Sequence, residues 1–547
     1  MSSLRSLTAL IIEPQSGMRA NLHNMLNLCD ITKIEHAVSS GTAIRPLKTR
    51  AYDLILCEYD LGDGQDGQQL LEDLRHNKLI PLWTIFIIVT AERTYERVVS
   101  AAELAPSDYI LKPFTAETLL DRISRALDKR TAFLPVFHLM EHGNLHEAIE
   151  VCQVGETRHR KYAPDFMRLR AELHVILDEA EEAEKIYQAL LETKAVAWAR
   201  LGLAKTLFMQ NKFGEAEMLL AALVEESSLY MDAYDWLART REAGGKLVQA
   251  KETLAEAVAI SPHAVRRLRK LGDLALEADD VDTAERSYQK VVFKARHSEF
   301  RDPEDHVRLV RALVRKGEMQ QAAGVVRDME RTLGGSAKMP VCRAVAGALV
   351  HEGNGDRERA AAELGAAVAA CRETVGVSNE LKMELARHCL AHKLDEGAAE
   401  VMCTVMSNTA DDGAMTKAMQ VFERAGRAEL AQSVAKASRR QVVSLVSNGA
   451  ERARQGDYAG AVELMTAAVQ KLPDNPQVVF NAAVAVLKHL EHLGWDSQLG
   501  SQVRAYIETS RRLDPANPRL TPLVAMYQSI LKKYGIRLSP LPDWTEA

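Results

Sequence analysis

Aromatic residues are scarce in this chain, at 5% of 547 positions, so apolar cores must be filled chiefly by aliphatic side chains and by an abundance of alanine. Alanine favours helix and permits close helix–helix approach. Paired cysteines are also missing. Cys29, Cys57, Cys152, Cys342, Cys371, Cys389 and Cys403 are odd in number, none forms a C-x-x-C pair, and most lie inside apolar segments. Reduced, buried thiols of a cytosolic protein are the simple reading. No stretch of about 18 or more apolar residues occurs, so no membrane span is expected. The start, MSSLRSLTALIIEPQ, has neither the apolar core nor the small-residue cleavage site of a secretory signal. Charge of one sign is lacking as well: the net charge is −6. That argues against a phosphate-backbone binder, which needs a concentrated basic surface. A soluble, cytoplasmic protein is expected, with no nucleic-acid partner and no membrane partner. The length allows about three to four domain-sized units, or one domain followed by a repeat array.

Two regions have different grammar. Over 7–128, short apolar runs (7–12, 33–38, 53–57, 85–89 and 108–111) alternate with helical patterns near 17–28, 66–77, 93–104 and 115–128, and a weaker one near 41–49. Strands that alternate with helices predict a five-stranded parallel sheet covered on both faces. In such a sheet functional groups gather at the carboxyl ends of the strands. Those ends carry Glu13, Glu58, Thr90 and Lys112.

From about residue 133 the strand pattern stops and helix pairs follow. Ala148, Ala183, Ala216, Ala250 and Ala284 recur at spacings of 35, 33, 34 and 34. A period near 34 marks a helix–turn–helix array. In its clearest unit, Tyr234, Leu237 and Ala238 precede Gly245, and Leu247, Ala250, Leu254, Ala257 and Pro262 follow. Leu237, Ala238, Ala250 and Ala257 are the small or aliphatic residues of a close helix crossing. Gly245 supports the tight turn, and Pro262 stops the second helix. A late unit repeats this with Gly449, Gly456, Tyr458, Ala461, Ala468 and Pro473. The pattern resembles the tetratricopeptide repeat family, best over 195–297 and 440–474. Between them the period stretches to 38 (Ala284, Ala322, Ala360, Ala398), and 405–440 is poorly defined. Roughly ten helix pairs are expected across 133–535, forming an all-α superhelical solenoid.

Residues 7–128 resemble the receiver domain of bacterial response regulators, with its flavodoxin-like fold. Thr90 lies in V-T-A, and Lys112-Pro113-Phe114 follows 22 residues later. The resemblance places a switch aromatic at Tyr109 and a phosphoacceptor at residue 58. The departures carry the functional reading. The family's acidic pair falls on Glu13-Pro14, so one oxygen ligand for Mg²⁺ is missing. The acceptor is Glu58 instead of Asp, one methylene longer, and a misplacement of about 1 Å can cost about 10²-fold in rate. Three readings stand: Glu58 as a built-in anion toward Thr90 and Lys112, a decayed scaffold in which Glu58 merely pairs with Lys112, or phosphorylation surviving at Glu58 or Asp60. No cofactor is expected, with at most weak Mg²⁺ at Glu13 and Glu58.

His388 and His392 stand at i, i+4 on an expected helix, a spacing that can bind zinc but without an evident third ligand. The basic run Arg158–Lys161 reads as a helix end, and 178–184 as a turn and helix start. No phosphate loop or nucleophile elbow appears. The resulting division is a receiver-like domain over 1–130, helical repeats over 131–536 and a tail over 537–547. The function it implies is a non-enzymatic signalling adaptor or scaffold, with a protein partner on the concave repeat surface and a homodimer through the receiver as a further option.

Overall fold

The structure is a computed structural model that describes residues 4–62, 66–91, 107–141, 144–193, 196–262, 264–296, 301–408, 412–514 and 517–536. Five strands, β1 (Thr8–Ile12), β2 (Lys33–Ala37), β3 (Leu54–Glu58), β4 (Ile85–Thr90) and β5 (Asp108–Leu111), form one sheet in the order β2-β1-β3-β4-β5. Every pair is parallel, with Ile12 beside Cys57, Glu58 beside Val89 and Thr90 beside Leu111. All residues of β3 and β4 are buried, as the unbroken apolar runs require of central strands covered on both faces. Side chains alternate across the sheet. Leu10, Ile12, Ile55, Cys57, Phe86 and Ile88 therefore join one core, and Ala9, Ile11, Leu54, Leu56, Ile87 and Val89 the other.

Helices α1 (Ser16–Leu28), α2 (Ser40–Leu47) and α3 (Gly67–His76) lie where the patterns near 17–28, 41–49 and 66–77 predict them. Asp66 caps α3 in a reciprocal box with Gln69. The helix expected over 93–104 lies outside the described residues.

The fourth helix differs from expectation. The sequence pattern predicts a helix over 115–128 and an array from about 133, but α4 runs unbroken from Ala116 to Glu141. Its first half buries Leu119 and Ile123 against the sheet. Its second half buries Phe133, Val136 and Leu139 against Ala148, Cys152 and Phe166. One helix thus serves two cores. The intervening residues, Asp128 to Thr131, contain no helix breaker, and Pro135 is buried within it.

The chain divides into two compact units, 1–305 and 306–547. The first continues with α5 (Leu145–Arg158), α6 (Ala163–Ile176), α7 (Ala180–Thr193), α8 (Ala197–Met209), α9 (Phe213–Glu226), α10 (Met231–Ala243), α11 (Leu247–Ile260), α12 (Val265–Glu277) and α13 (Val281–Ala295). The division falls in the first turn of α14 (Pro303–Lys316). The second contains α15 (Met319–Leu333), α16 (Met339–Gly353), α17 (Arg357–Glu373), α18 (Asn379–Ala391), α19 (Asp395–Ser407), α20 (Asp412–Arg424), α21 (Ala428–Arg454), α22 (Tyr458–Lys471), α23 (Pro476–Leu493), α24 (Ser497–Leu513) and α25 (Leu520–Lys533).

The periodic alanines are the packing positions of this repeat solenoid. Ala148, Ala183, Ala216, Ala250, Ala257, Ala284, Ala322, Ala360, Ala398 and Ala461 are all fully buried, and Leu237, Ala238 and Ala468 nearly so. Gly245 links α10 to α11 at φ +76 with open space around it, so the backbone angle is what selects glycine there. Pro262 and Pro473 lie just beyond the ends of α11 and α22. The blurred stretch over 405–440 has a structural cause. Helix α21 is 27 residues long, and its buried Ala431 and Gly449 do the work that two shorter helices do elsewhere. Among the described residues no helix is long and apolar enough to cross a membrane.

Candidate functional site

The carboxyl ends of β1, β3 and β5 bring three charged side chains together. Lys112, directly after β5, donates from Nζ to Glu13 Oε2 at 2.9 Å and to Glu58 Oε2. Glu58 is the last residue of β3, and its other oxygen, Oε1, accepts from the backbone N–H groups of Tyr59 at 2.7 Å and Asp60 at 3.2 Å. Glu13 Oε1 accepts from Gln15 N at 3.0 Å. Glu13 is 1% exposed and Glu58 9%. At that depth an uncompensated charge would be costly, and a shared cation with multiple hydrogen bonds relieves part of the cost.

One ammonium serves two carboxylates, and the ionisation of each group reflects it. Burial pushes the Glu58 carboxyl above its ordinary range; Lys112 and the Asp60 N–H oppose this, and the nearby Glu13 charge adds to it. For Lys112 burial opposes the charge, but the hydrogen bonds to Glu58 and Glu13 outweigh it and hold the ammonium above the usual lysine range. Burial, followed by the charges of Glu58, Asp66 and Glu13, pushes the Cys57 thiol far up, which makes it inert.

Of the other expected site residues, Thr90 and Tyr109 lie on β4 and β5 and Asp60 follows β3. Thr90 ends β4 and is buried, and its carbonyl accepts from Lys112 N at 2.7 Å. Tyr109, in β5 beside Ile88, packs against the core containing Cys57. Asp60 is exposed, and its carboxylate accepts from Gly62 N at 3.0 Å. Strand β3 stops at Glu58, so the continuation that would have put residues 58 and 60 on one face is not there. Arg19 escaped the sequence reading. On the first turn of α1, its guanidinium donates to the carbonyls of Glu13 at 2.7 Å and Pro14 at 3.1 Å. The only signal was a cation six residues after Glu13, which is weak because surface arginines are common.

The likeness to receivers implies a divalent cation at the acidic pair, and the residues present do not fit one. Pro14 contributes no side-chain oxygen. Glu13 Oε2 and Glu58 Oε2 are taken by the Lys112 ammonium, and the carbonyls of Glu13 and Pro14 are taken by Arg19. A hard cation requires several free oxygen ligands, and here two cationic side chains occupy that space.

Residues 9–124 match the family described as Response regulator receiver domain. This segment is a receiver domain. The chemotaxis protein CheY-3 of Vibrio cholerae is 26% identical over 125 residues, which are 23% of this chain and 95% of that protein. The chemotaxis protein CheY of Pseudomonas aeruginosa is 27% identical over 120 residues, 22% of this chain and 95% of that protein. The C-terminal part of a TPR repeat-containing protein from Cytophaga hutchinsonii covers 46% of this chain and 97% of its own, at 18% identity and TM-score 0.36. The tetratricopeptide-like assignment therefore rests on this chain's own alanine period and helix pairs, which follow the receiver domain directly through α4.

Away from the receiver domain, His388 and His392 both turn to one carboxylate. His388 Nδ1 is 2.8 Å from Glu352 Oε2, and His392 Nε2 is 2.8 Å from Glu352 Oε1. Burial raises the Glu352 carboxyl, but the two histidines outweigh it and hold it below its usual range. Among the described residues no group of three or more His, Cys, Asp or Glu is placed to hold a metal ion. Arg158 lies in the last turn of α5, and His159 stacks on Phe166.

Proposed function

We propose that this chain is a two-component-type signalling adaptor that acts by protein–protein interaction, with a receiver pocket closed by its own side chains. The observation that carries the reading is the Lys112 ammonium bridging Glu13 and Glu58. In the receiver family the lysine and the acceptor carboxylate handle a phosphoryl group. Here the acceptor is already an ion-pair partner, its second oxygen is capped by two backbone N–H groups, and the oxygens that would hold a metal are engaged. Phosphoryl transfer depends on positioning and charge neutralisation, and this pocket has neither open. The alanine-packed array supplies the output: stacked helix pairs create extended concave surfaces suited to a protein partner. The small net charge supports a protein partner over nucleic acid. A cytoplasmic setting and a homodimer through the receiver domain fit the same reading.

Incubation of the full chain with acetyl phosphate and Mg²⁺, followed by intact-mass analysis, tests it. No stoichiometric gain at residue 58 is expected. A gain of one phosphoryl group mapped to Glu58 or Asp60 would overturn the closed-pocket reading.

A further inference from the structure

Helix α3 of the receiver domain meets the repeats far along the sequence. Glu72 Oε1 pairs with Arg266 Nε at 3.0 Å, and the Glu72 side chain is 17% exposed. Arg266 stands on the first turn of α12, which carries three arginines in four positions. Two of them bind within the array. Arg267 makes a two-pronged pair with Asp235 of α10 at 2.7 and 2.8 Å, and Arg269 does the same with Asp305 at 2.6 and 2.7 Å. Arg266 is the one that reaches the receiver domain. Nearby, burial lowers the Lys294 ammonium in the last turn of α13, and the charge of Asp66, which caps α3, opposes this. Glu72 also lies in the field of Arg267 and Arg269, which lower its carboxyl against the larger effect of burial.

The start of α3 is fixed to the strand end that carries Glu58. Gly67 N donates to Tyr59 O at 2.8 Å, and a Cβ at Gly67 would come within 2.4 Å of the Glu58 carbonyl.

We propose that the face of α3 carrying Glu72 is the receiver domain's docking surface for the repeats, seated through Arg266 on the basic patch at the start of α12. The occupant of that patch is this chain's own helix. An acidic segment of a partner protein would have to displace it to bind there. The contact lies wholly within residues 1–305 and stands whether or not the pocket accepts phosphate.

Zero-length cross-linking of the full chain tests it. Arg266→Lys preserves the charge and supplies an amine, so a carbodiimide should join position 266 to Glu72, and peptide mapping should find that bond. Combining Arg266→Lys with Glu72→Gln should abolish it. Raising salt to about 1 M, where screening acts within about 3 Å, should lower the yield. Hydrogen exchange gives a readout without cross-linking. Glu72→Arg should speed exchange of the amides at the start of α12 by about two- to five-fold, the range of a single ion pair, and adding Arg266→Glu should restore the slower rate. If Arg266→Lys is folded by circular dichroism and no bond between 72 and 266 forms at low salt, the proposal fails. It fails equally if the charge swap restores nothing.

Discussion

At the scale of single residues, the pocket turns on one ammonium between two carboxylates. Glu58→Gln keeps the size and removes the charge, leaving Lys112 with Glu13 alone. A change of about 1–2 kcal/mol in the local stability of the sheet is expected, because the ion pair and its desolvation largely offset each other. Native-state hydrogen exchange of β3 and β5 amides would read it. The pH dependence has a definite sign. Glu58 binds its proton more tightly in the folded protein, so its contribution is fully present below the ordinary carboxylate value of about 4.3 and is lost as pH rises through the raised folded value. The Lys112 contribution is present below the ordinary lysine value and is lost as pH rises through its own raised value. Glu58→Gln should remove this contribution to the acid-side slope. It should also shift the NMR signals of Tyr109 and weaken partner binding if the Glu58 charge sets the receiver's conformation. Unchanged Tyr109 signals and unchanged affinity would leave a purely structural triad.

At the scale of elements, helix crossings differ in how they tolerate an added methyl. A Cβ at Gly272 would lie 2.6 Å from the Tyr288 ring, whereas at Gly449 it would meet the Met465 sulfur at 2.5 Å. A buried tyrosine ring whose hydroxyl donates to Asp273 at 2.7 Å cannot give way, but a methionine can adopt another rotamer. Gly272→Ala is therefore expected to cost about 1–3 kcal/mol and Gly449→Ala clearly less, as measured by hydrogen exchange in the helices on either side. Ala250→Arg, which forces a long cation into a fully buried crossing, should cost several kcal/mol and lower the melting temperature. Wild-type melting in that variant would show that the alanine register is wrong. These elements were readable from the sequence because alanine at a period near 34 states directly where helices touch. Helices α4 and α21 were not, because a fused helix erases the turn on which the period depends.

At the scale of the whole molecule, α4 joins the core of the sheet to the core of the first repeats. Arg130, midway along it, donates to Asp53 Oδ1 at 2.9 Å and lies over the Trp83 ring, with its centroid 5.8 Å away. Asp53 in turn accepts from Thr8 N at 2.9 Å and Thr8 Oγ1 at 3.0 Å, so it remains bonded if Arg130 is lost. Arg130→Ala is expected to cost about 1–3 kcal/mol, the range of a charge-assisted hydrogen bond, and to loosen the sheet and α5 together. Exchange rates rising in only one of them would show that α4 does not couple them.

What the sequence determined by itself was local and periodic. Alternating apolar runs specify a buried parallel sheet because strand side chains repeat every two residues. Spaced alanines specify an array because a helix pair cannot bury its apolar face alone. Pro14 and Glu58 state where this chain departs from the receiver pattern, since folding cannot supply a side chain that the sequence lacks. The tertiary structure alone decided what fills the gap. Arg19 over the Glu13 and Pro14 carbonyls, Lys112 shared by two carboxylates, and Glu72 meeting Arg266 from 194 positions away all join groups with no periodic relation in the chain. Pairs of that kind depend on where the backbone carries each charge in space, and a linear pattern holds no record of it.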